Sequence, residues 1–296
     1  MTKARGQLFE KLVSNMWNNW DLKYKTLSAD QRKEMLNEME RGSWHAVHEL
    51  KQNITTTELA EKISTAEVNE NWAGNKYGEP KTDVKIGNYK ISLKYGPAQI
   101  MSSSPEEIKS VLDVATSHIN NKPILNKIKN TLNKLIEYQK NGGIIAKKLT
   151  IKDKYIDILT GEEKVKGISD IFDSDSLYLK IKEIKKIHKQ LQNYFIKLFN
   201  DKTIKHKFIE EALTGKMKYD GNDGSATHIL GFSKKDNKHI FKSFNYDTIK
   251  EISNMSNISM SFKSSGSIKT KEDPKGKRLA WSVLRIIMDE LSNNKH

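Results

Sequence analysis

Apolar residues along this chain recur mostly at helical spacing. Between Gly6 and Trp20 they fall at Leu8, Leu12, Val13, Met16, Trp17 and Trp20. Ser28-Ala-Asp-Gln31 has the pattern of a capping box, with a hydroxyl at the N-cap and a glutamine three residues on that can bond back to it. The first fifty residues therefore read as helical. Thr57 can cap a further helix beginning at Glu58, with Leu59, Ile63 and Val68 as apolar positions before the polar stretch from Asn69 to Gly78 breaks the pattern.

From Pro80 to Lys94 the period changes to two. With Gly87-Asn88 as a two-residue hairpin turn, Ile86 pairs with Tyr89, Val84 with Ile91 and Asp83 with Ser92. Side chains alternate across a strand and opposed residues point the same way. One face then carries Val84, Ile86, Tyr89, Ile91 and Leu93, and the other Asp83, Lys85, Lys90, Ser92 and Lys94.

Helices return with Ser104-Pro105-Glu106-Glu107, a strong start signal with Pro at the first helical position. Another helix runs from Pro123 to about Gln139 and ends at Gly142-Gly143. Residues 144 to 175 hold two or three short strand-like runs, and Leu177 to Phe199 reads as a long helix. Phe208 to Thr214 is helical and stops at Gly215. Ala226 to Phe232 and His239 to Phe244 read as strands around the turn 235–238, Ile258 to Lys263 as another strand, and Arg278 to Ser292 as a closing helix on Leu279, Val283, Ile286, Ile287 and Leu291. The fold class is α/β or α+β with helices dominant. Three regions follow along the chain: a helical part at 1–50, a core at 51–150, and a basic helical and α/β part at 151–296.

Charge narrows the partners. The 296 residues hold 51 Lys+Arg and 37 Asp+Glu, a net of +14, which favours polyanions, with nucleic acid ahead of an anionic membrane surface. Between Tyr178 and Tyr219 eleven lysines face four acidic residues, 11 − 4 = +7, half of the excess. Lys182, Lys186 and Lys189 in this stretch, Lys81 and Lys85 on the hairpin strand, and Lys263 at the start of a polar loop are the candidates for tracking a phosphate backbone. The absence of cysteine excludes disulfide scaffolds, thiolate metal sites and a thiol nucleophile, and suits a reducing cytoplasm. A mean hydropathy of −0.69 and the lack of a long apolar run predict a soluble protein with no membrane span. Abundant Lys, Ile and Asn with only 5 Pro suggest an AT-rich coding genome, such as many bacteriophages carry.

Metal-assisted hydrolysis of a phosphodiester needs a fixed carboxylate to hold Mg²⁺, further oxygen ligands, and a cation near the attacking water or the scissile phosphate. The polar face of the hairpin offers Asp83 opposite Ser92, Lys94 two residues along, and the Leu93 carbonyl between them. Lys94 can lower the pKa of a water or stabilise charge on the phosphate. Pro80-Lys81-Thr82-Asp83 followed by Ser92-Leu93-Lys94 resembles the PD-(D/E)xK signature of restriction endonucleases and many phage nucleases. That resemblance covers about residues 55 to 120. It implies a restriction-endonuclease-like core, with a mixed sheet flanked by helices and an additional C-terminal α+β part. It also implies Asp83 as metal ligand and Lys94 as catalytic lysine. Ser92 departs from the pattern, standing where the family usually has Asp or Glu.

Members also often carry a Glu on the helix before the first core strand, which makes Glu58 and Glu61 the candidates for a second metal ligand, ahead of Glu67, Glu70 and Glu79. Gln99 resembles a glutamine that some subfamilies keep after the lysine strand. Glu211 or Asp223 can add a carboxylate if the tail folds back onto the hairpin. His45-x-x-His48-Glu49 lacks a third ligand and is set aside as a metal site. The expectation is a Mg²⁺-dependent DNA endonuclease, with Mn²⁺ as the alternative ion, of restriction or phage type and acting in a bacterial host cytoplasm. Dimers are frequent where both strands must be cut, so a homodimer is a prior rather than a derivation. The alternatives are a non-catalytic DNA-binding or phage structural protein on a degenerate nuclease fold, and an adaptor whose basic surface meets an acidic protein.

Overall fold

The computed structural model describes residues 3–54, 66–68, 81–94, 99–119, 122–140, 144–147, 154–156, 163–165, 174–233, 238–268 and 277–288. In chain order the elements are α1 (Lys3–Asn18), a π-helical turn (Trp20–Tyr24), α2 (Ala29–Met35), α3 (Glu38–Asn53), β1 (Ala66–Val68), β2 (Val84–Ile86), β3 (Tyr89–Leu93) and β4 (Gln99–Ser103). Then come α4 (Pro105–Ala115), α5 (Pro123–Lys140), β5 (Ile144–Lys147), β6 (Lys154–Ile156), β7 (Glu163–Val165), α6 (Ser174–Leu198) and α7 (Lys202–Thr214). The chain continues through β8 (His228–Ser233), β9 (Lys238–Ser243), α8 (Tyr246–Met255), β10 (Ser256–Ile268) and β11 (Lys277–Met288). This is a helix-rich mixed α/β protein. Among the described residues no helix is long and apolar enough to cross a membrane.

The chain forms two units. The first comprises residues 1–100, 206–257 and 287–296, and the second 101–205 and 258–286. The first draws on all three of the consecutive regions suggested by the sequence, because sheet pairing joins segments far apart in the chain. Its five-stranded sheet has the order β1-β2-β3-β8-β9. Every neighbouring pair is antiparallel except β3 and β8, which run parallel with Ile91 beside His228 and Leu93 beside Leu230.

The hairpin follows the predicted register, with Val84↔Ile91 and Ile86↔Tyr89, and Gly87 takes a φ of +57° in its turn. Its apolar side chains Val84, Ile86, Ile91 and Leu93 join Leu230, Phe9, Val13, Trp17, Val47 and Leu50 in one core, so α1 and α3 cover this face. Burial of an aliphatic side chain of this size stabilises by roughly 1.5–3 kcal/mol, which is why the register is tightly specified. The N-terminal helices start where expected: Ser28 and Gln31 close a capping box at α2, and Asn37 and Glu40 close another at α3.

In the second unit α5 packs against α4 and α6. Leu125, Ile128, Leu132 and Leu135 are buried on α5, and Ile184, Leu191 and Phe195 on α6. Ion pairs Lys129–Asp113 (2.6 Å) and Lys122–Asp201 (2.7 Å) bridge its surface. A second sheet has the order β10-β11-β4, with β5 also pairing antiparallel to β11, and β6 and β7 form a separate two-stranded ribbon.

Three expectations are corrected. The segment from Arg278 is strand β11 rather than a helix. Leu284 and Ile286 are buried with Arg285 between them less so, a period of two that the helical spacing of Leu279, Val283, Ile286 and Ile287 concealed. Val68 belongs to strand β1 and not to the helix begun near Thr57, whose other positions lie outside the described residues. Residues 263–268, read as the start of a loop, continue strand β10.

Candidate active site

Asp83 immediately precedes β2, and Ser92 and Lys94 lie at the end of β3 and just past it. Antiparallel pairing therefore brings the three side chains to one place. The Asp83 Oδ2 atom accepts from the Leu93 backbone N–H at 2.7 Å, from the Ser92 hydroxyl at 3.2 Å and from the Lys94 ammonium at 3.4 Å. Asp83 and Lys94 are 21 % and 18 % exposed, deep enough for the charges to act with limited screening and still open to solvent. Ser92 is buried at 3 %. The three expected residues thus form one contiguous group. The contact from Leu93 is made by its amide.

All three donors converge on Oδ2, and among the described residues Oδ1 has no hydrogen bond or ion pair. An oxygen fixed in this way is fit to be one ligand of a hard cation, which takes oxygen donors. One carboxylate does not make a Mg²⁺ site, and among the described residues no group of three His, Asp or Glu side chains comes together. Glu58 and Glu61, the sequence candidates for the second carboxylate, lie outside the described residues, as do Glu70 and Glu79. Glu67 is on β1, opposite Lys85 in the ladder. Gln99 opens β4, a strand of the other sheet.

The polar face of the hairpin is covered by the tail segment whose folding back would bring Glu211 or Asp223 toward the site. The loop after α7 returns over it. The Lys81 N–H donates to the Gly224 carbonyl (2.8 Å), and the buried Thr82 hydroxyl donates to the Ser225 carbonyl (2.9 Å). Lys85 pairs with Asp223 at 2.8 Å, and the Lys90 ammonium donates to the carbonyls of Gly221 (2.6 Å) and Asn222 (2.9 Å). The Thr227 N–H then donates to the Lys90 carbonyl at 2.7 Å as β8 begins. Asp223 therefore engages Lys85, and Glu211 uses both its oxygens elsewhere. Buried at 4 %, Glu211 accepts from the backbone N–H groups of Met217 (3.0 Å) and Lys218 (2.9 Å). The composition of 220–224 marked a loop, but no periodic signal specified its landing place.

Among the lysines expected to meet a phosphate backbone, Lys186 and Lys189 are exposed on α6. Lys182 also lies on α6, and Lys263 on β10. Lys81 and Lys85 border the Asp83 group, Lys85 already neutralised in part by Asp223. His48 stacks on Trp44 at 5.0 Å, and the Arg32 guanidinium lies 4.1 Å from the Trp44 ring centroid, an aromatic packing arrangement. A scan against protein-family models found no match for the chain, and searches of curated proteins and of solved structures found none either.

Proposed function

We propose that the protein is a Mg²⁺-dependent DNA endonuclease of the PD-(D/E)xK type. The observation that carries this reading is the convergence of Asp83, Ser92 and Lys94 across one hairpin, with an Asp83 oxygen that has no partner among the described residues beside a lysine ammonium. A mixed sheet flanked by helices, with the Asp just before one hairpin strand and the Lys just after its partner, supports it, as does the net charge of +14.

In this mechanism the Leu93 amide and the Ser92 hydroxyl hold Asp83 Oδ2, and Oδ1 is the oxygen that would serve a metal. Glu58 or Glu61 would supply a second carboxylate. A bound Mg²⁺ would polarise the phosphate and acidify a water. Lys94 holds its ammonium beside the Asp83 carboxylate, where it can stabilise negative charge on a phosphate oxygen. Ser92 acts through its hydroxyl, as the anchor of Asp83.

Incubation of the purified protein with supercoiled plasmid and Mg²⁺ or Mn²⁺ tests the proposal. Nicking or linearisation that disappears in EDTA and in Asp83→Asn is expected. Intact plasmid under every metal condition overturns it. The presence of serine in place of the second carboxylate on β3 favours one other reading, a DNA-binding or phage structural protein on a degenerate nuclease fold. Tight, salt-sensitive DNA binding without cleavage identifies that case.

A further inference from the structure

Glu211 is an unusual investment for a surface turn. A carboxylate removed from water costs free energy unless its hydrogen bonds are replaced, and here two consecutive backbone N–H groups replace them. The result is a rigid turn directly after α7. Gly215 sits at φ +59°, where a Cβ would lie 2.7 Å from the Tyr219 ring and 3.0 Å from Lys81 Cγ. Tyr219 is buried at 1 % and closes the turn from below through its N–H to the Gly215 carbonyl (2.9 Å). The same segment is fastened to residues 81 and 82, the two that precede Asp83, through Gly224 and Ser225. The turn therefore has a fixed position beside the Asp83 group. It presents Lys216, exposed and with no ion pair among the described residues, and Lys218, whose ammonium lies 5.2 Å from the Tyr219 ring centroid.

We infer that the Lys216–Lys218 turn, held by the buried Glu211 and seated against Lys81, binds the phosphate backbone of DNA next to Asp83, with Glu211 as the positioning residue. The inference rests on the nuclease reading for the role of its neighbour, but its own measurement does not require cleavage. A lysine anchored on a rigid turn loses less freedom on meeting a phosphate than one on a flexible loop, and a fixed pair beside the reactive group sets the register of the strand there.

The experiment uses the full chain and a fluorescently labelled random-sequence DNA duplex in EDTA, with affinity measured across a salt series. Each phosphate contact contributes about 0.9 to the slope of log Kobs against log salt, so Lys216→Gln/Lys218→Gln should make the slope shallower by nearly two. Lys23→Gln/Lys33→Gln, exposed lysines of the N-terminal helical region, should leave it unchanged. Glu211→Gln removes a negative charge, so by charge alone it tightens binding to DNA; as the positioning residue it weakens binding and flattens the slope, with unchanged circular dichroism. A slope unaltered in Lys216→Gln/Lys218→Gln, an equal loss in the control pair, or no DNA binding by the native protein each overturns the inference. Should Glu211→Gln unfold, the Lys216→Gln/Lys218→Gln pair decides alone. Native salt dependence with no plasmid cleavage in Mg²⁺ overturns the nuclease reading and leaves this binding turn standing.

Discussion

The Asp83 geometry predicts that two substitutions at one position separate stability from catalysis. In Asp83→Asn the amide oxygen can replace Oδ2 as acceptor for the Leu93 N–H at 2.7 Å and the Ser92 hydroxyl at 3.2 Å, with the amide nitrogen turned to the side of Oδ1. What is lost is the charge assistance of these bonds and a partly screened ion pair to Lys94, together about 1 kcal/mol. Asp83→Ala removes the acceptor altogether. The Leu93 N–H then points at nothing and the buried Ser92 hydroxyl must rotate, at about 2–3 kcal/mol for unsatisfied groups in a largely buried place. Urea unfolding followed by tryptophan fluorescence reads the difference, and plasmid nicking in Mg²⁺ reads the chemistry. On the proposed endonuclease reading both variants should lose about 10–100-fold or more in cleavage, the scale at which even the outer partners of a metal matter. Equal destabilisation in the two variants refutes the hydrogen-bond assignment. Native cleavage by Asp83→Asn refutes the catalytic one.

Other expectations follow from buried groups. Burial lowers the pKa of His188 and of His239 to about 4, with His45 adding repulsion at His239. Both are neutral in the fold and protonate more readily when unfolded, so their stabilising contribution is full above the unfolded value of 6.5 and is lost as pH falls toward 4. Between pH 7.5 and 5 each should cost about 2 kcal/mol, and His239→Phe, placed against Phe9, should flatten the pH dependence of unfolding by that amount. Gly215→Ala forces a side chain into positive φ and onto Tyr219, and a loss of about 1–3 kcal/mol is expected in thermal unfolding. Lys85→Gln breaks a pair whose members are 31 % and 44 % exposed, and should change stability by less than about 1 kcal/mol in the same assay.

The hairpin was legible because two independent constraints agree there. Alternation of Val84, Ile86, Ile91 and Leu93 fixes the face, and Gly87-Asn88 fixes the register, so the juxtaposition of Asp83, Ser92 and Lys94 follows from spacing alone. Capping signals at Ser28 and Ser104 were equally direct, their side chains accepting from the backbone N–H groups of Gln31 and Glu107. Strand β11 was misread because a run dense in apolar residues satisfies both periods, and only its sheet partners decide between them. Helix α8 left a weak trace: ten residues, an Asn245 cap and two buried isoleucines at 249 and 252. The covering of the polar face by 215–225 had no local signature, since Lys85–Asp223 and Thr82–Ser225 join positions 138 and 143 residues apart.

The parallel pairing of β3 with β8 also governs how the protein emerges from the ribosome. The partner of Leu93 is Leu230, so 230 − 93 = 137 residues must be added before the hairpin's second edge is closed. At roughly 5–20 residues per second, the interval is about 7 to 27 s. During that time the nascent hairpin exposes an unpaired strand carrying Ile91 and Leu93, the kind of edge that recruits other chains. Expression should therefore be sensitive to temperature and to chaperone supply, and a product ending before residue 228 would carry the signature residues on an open edge.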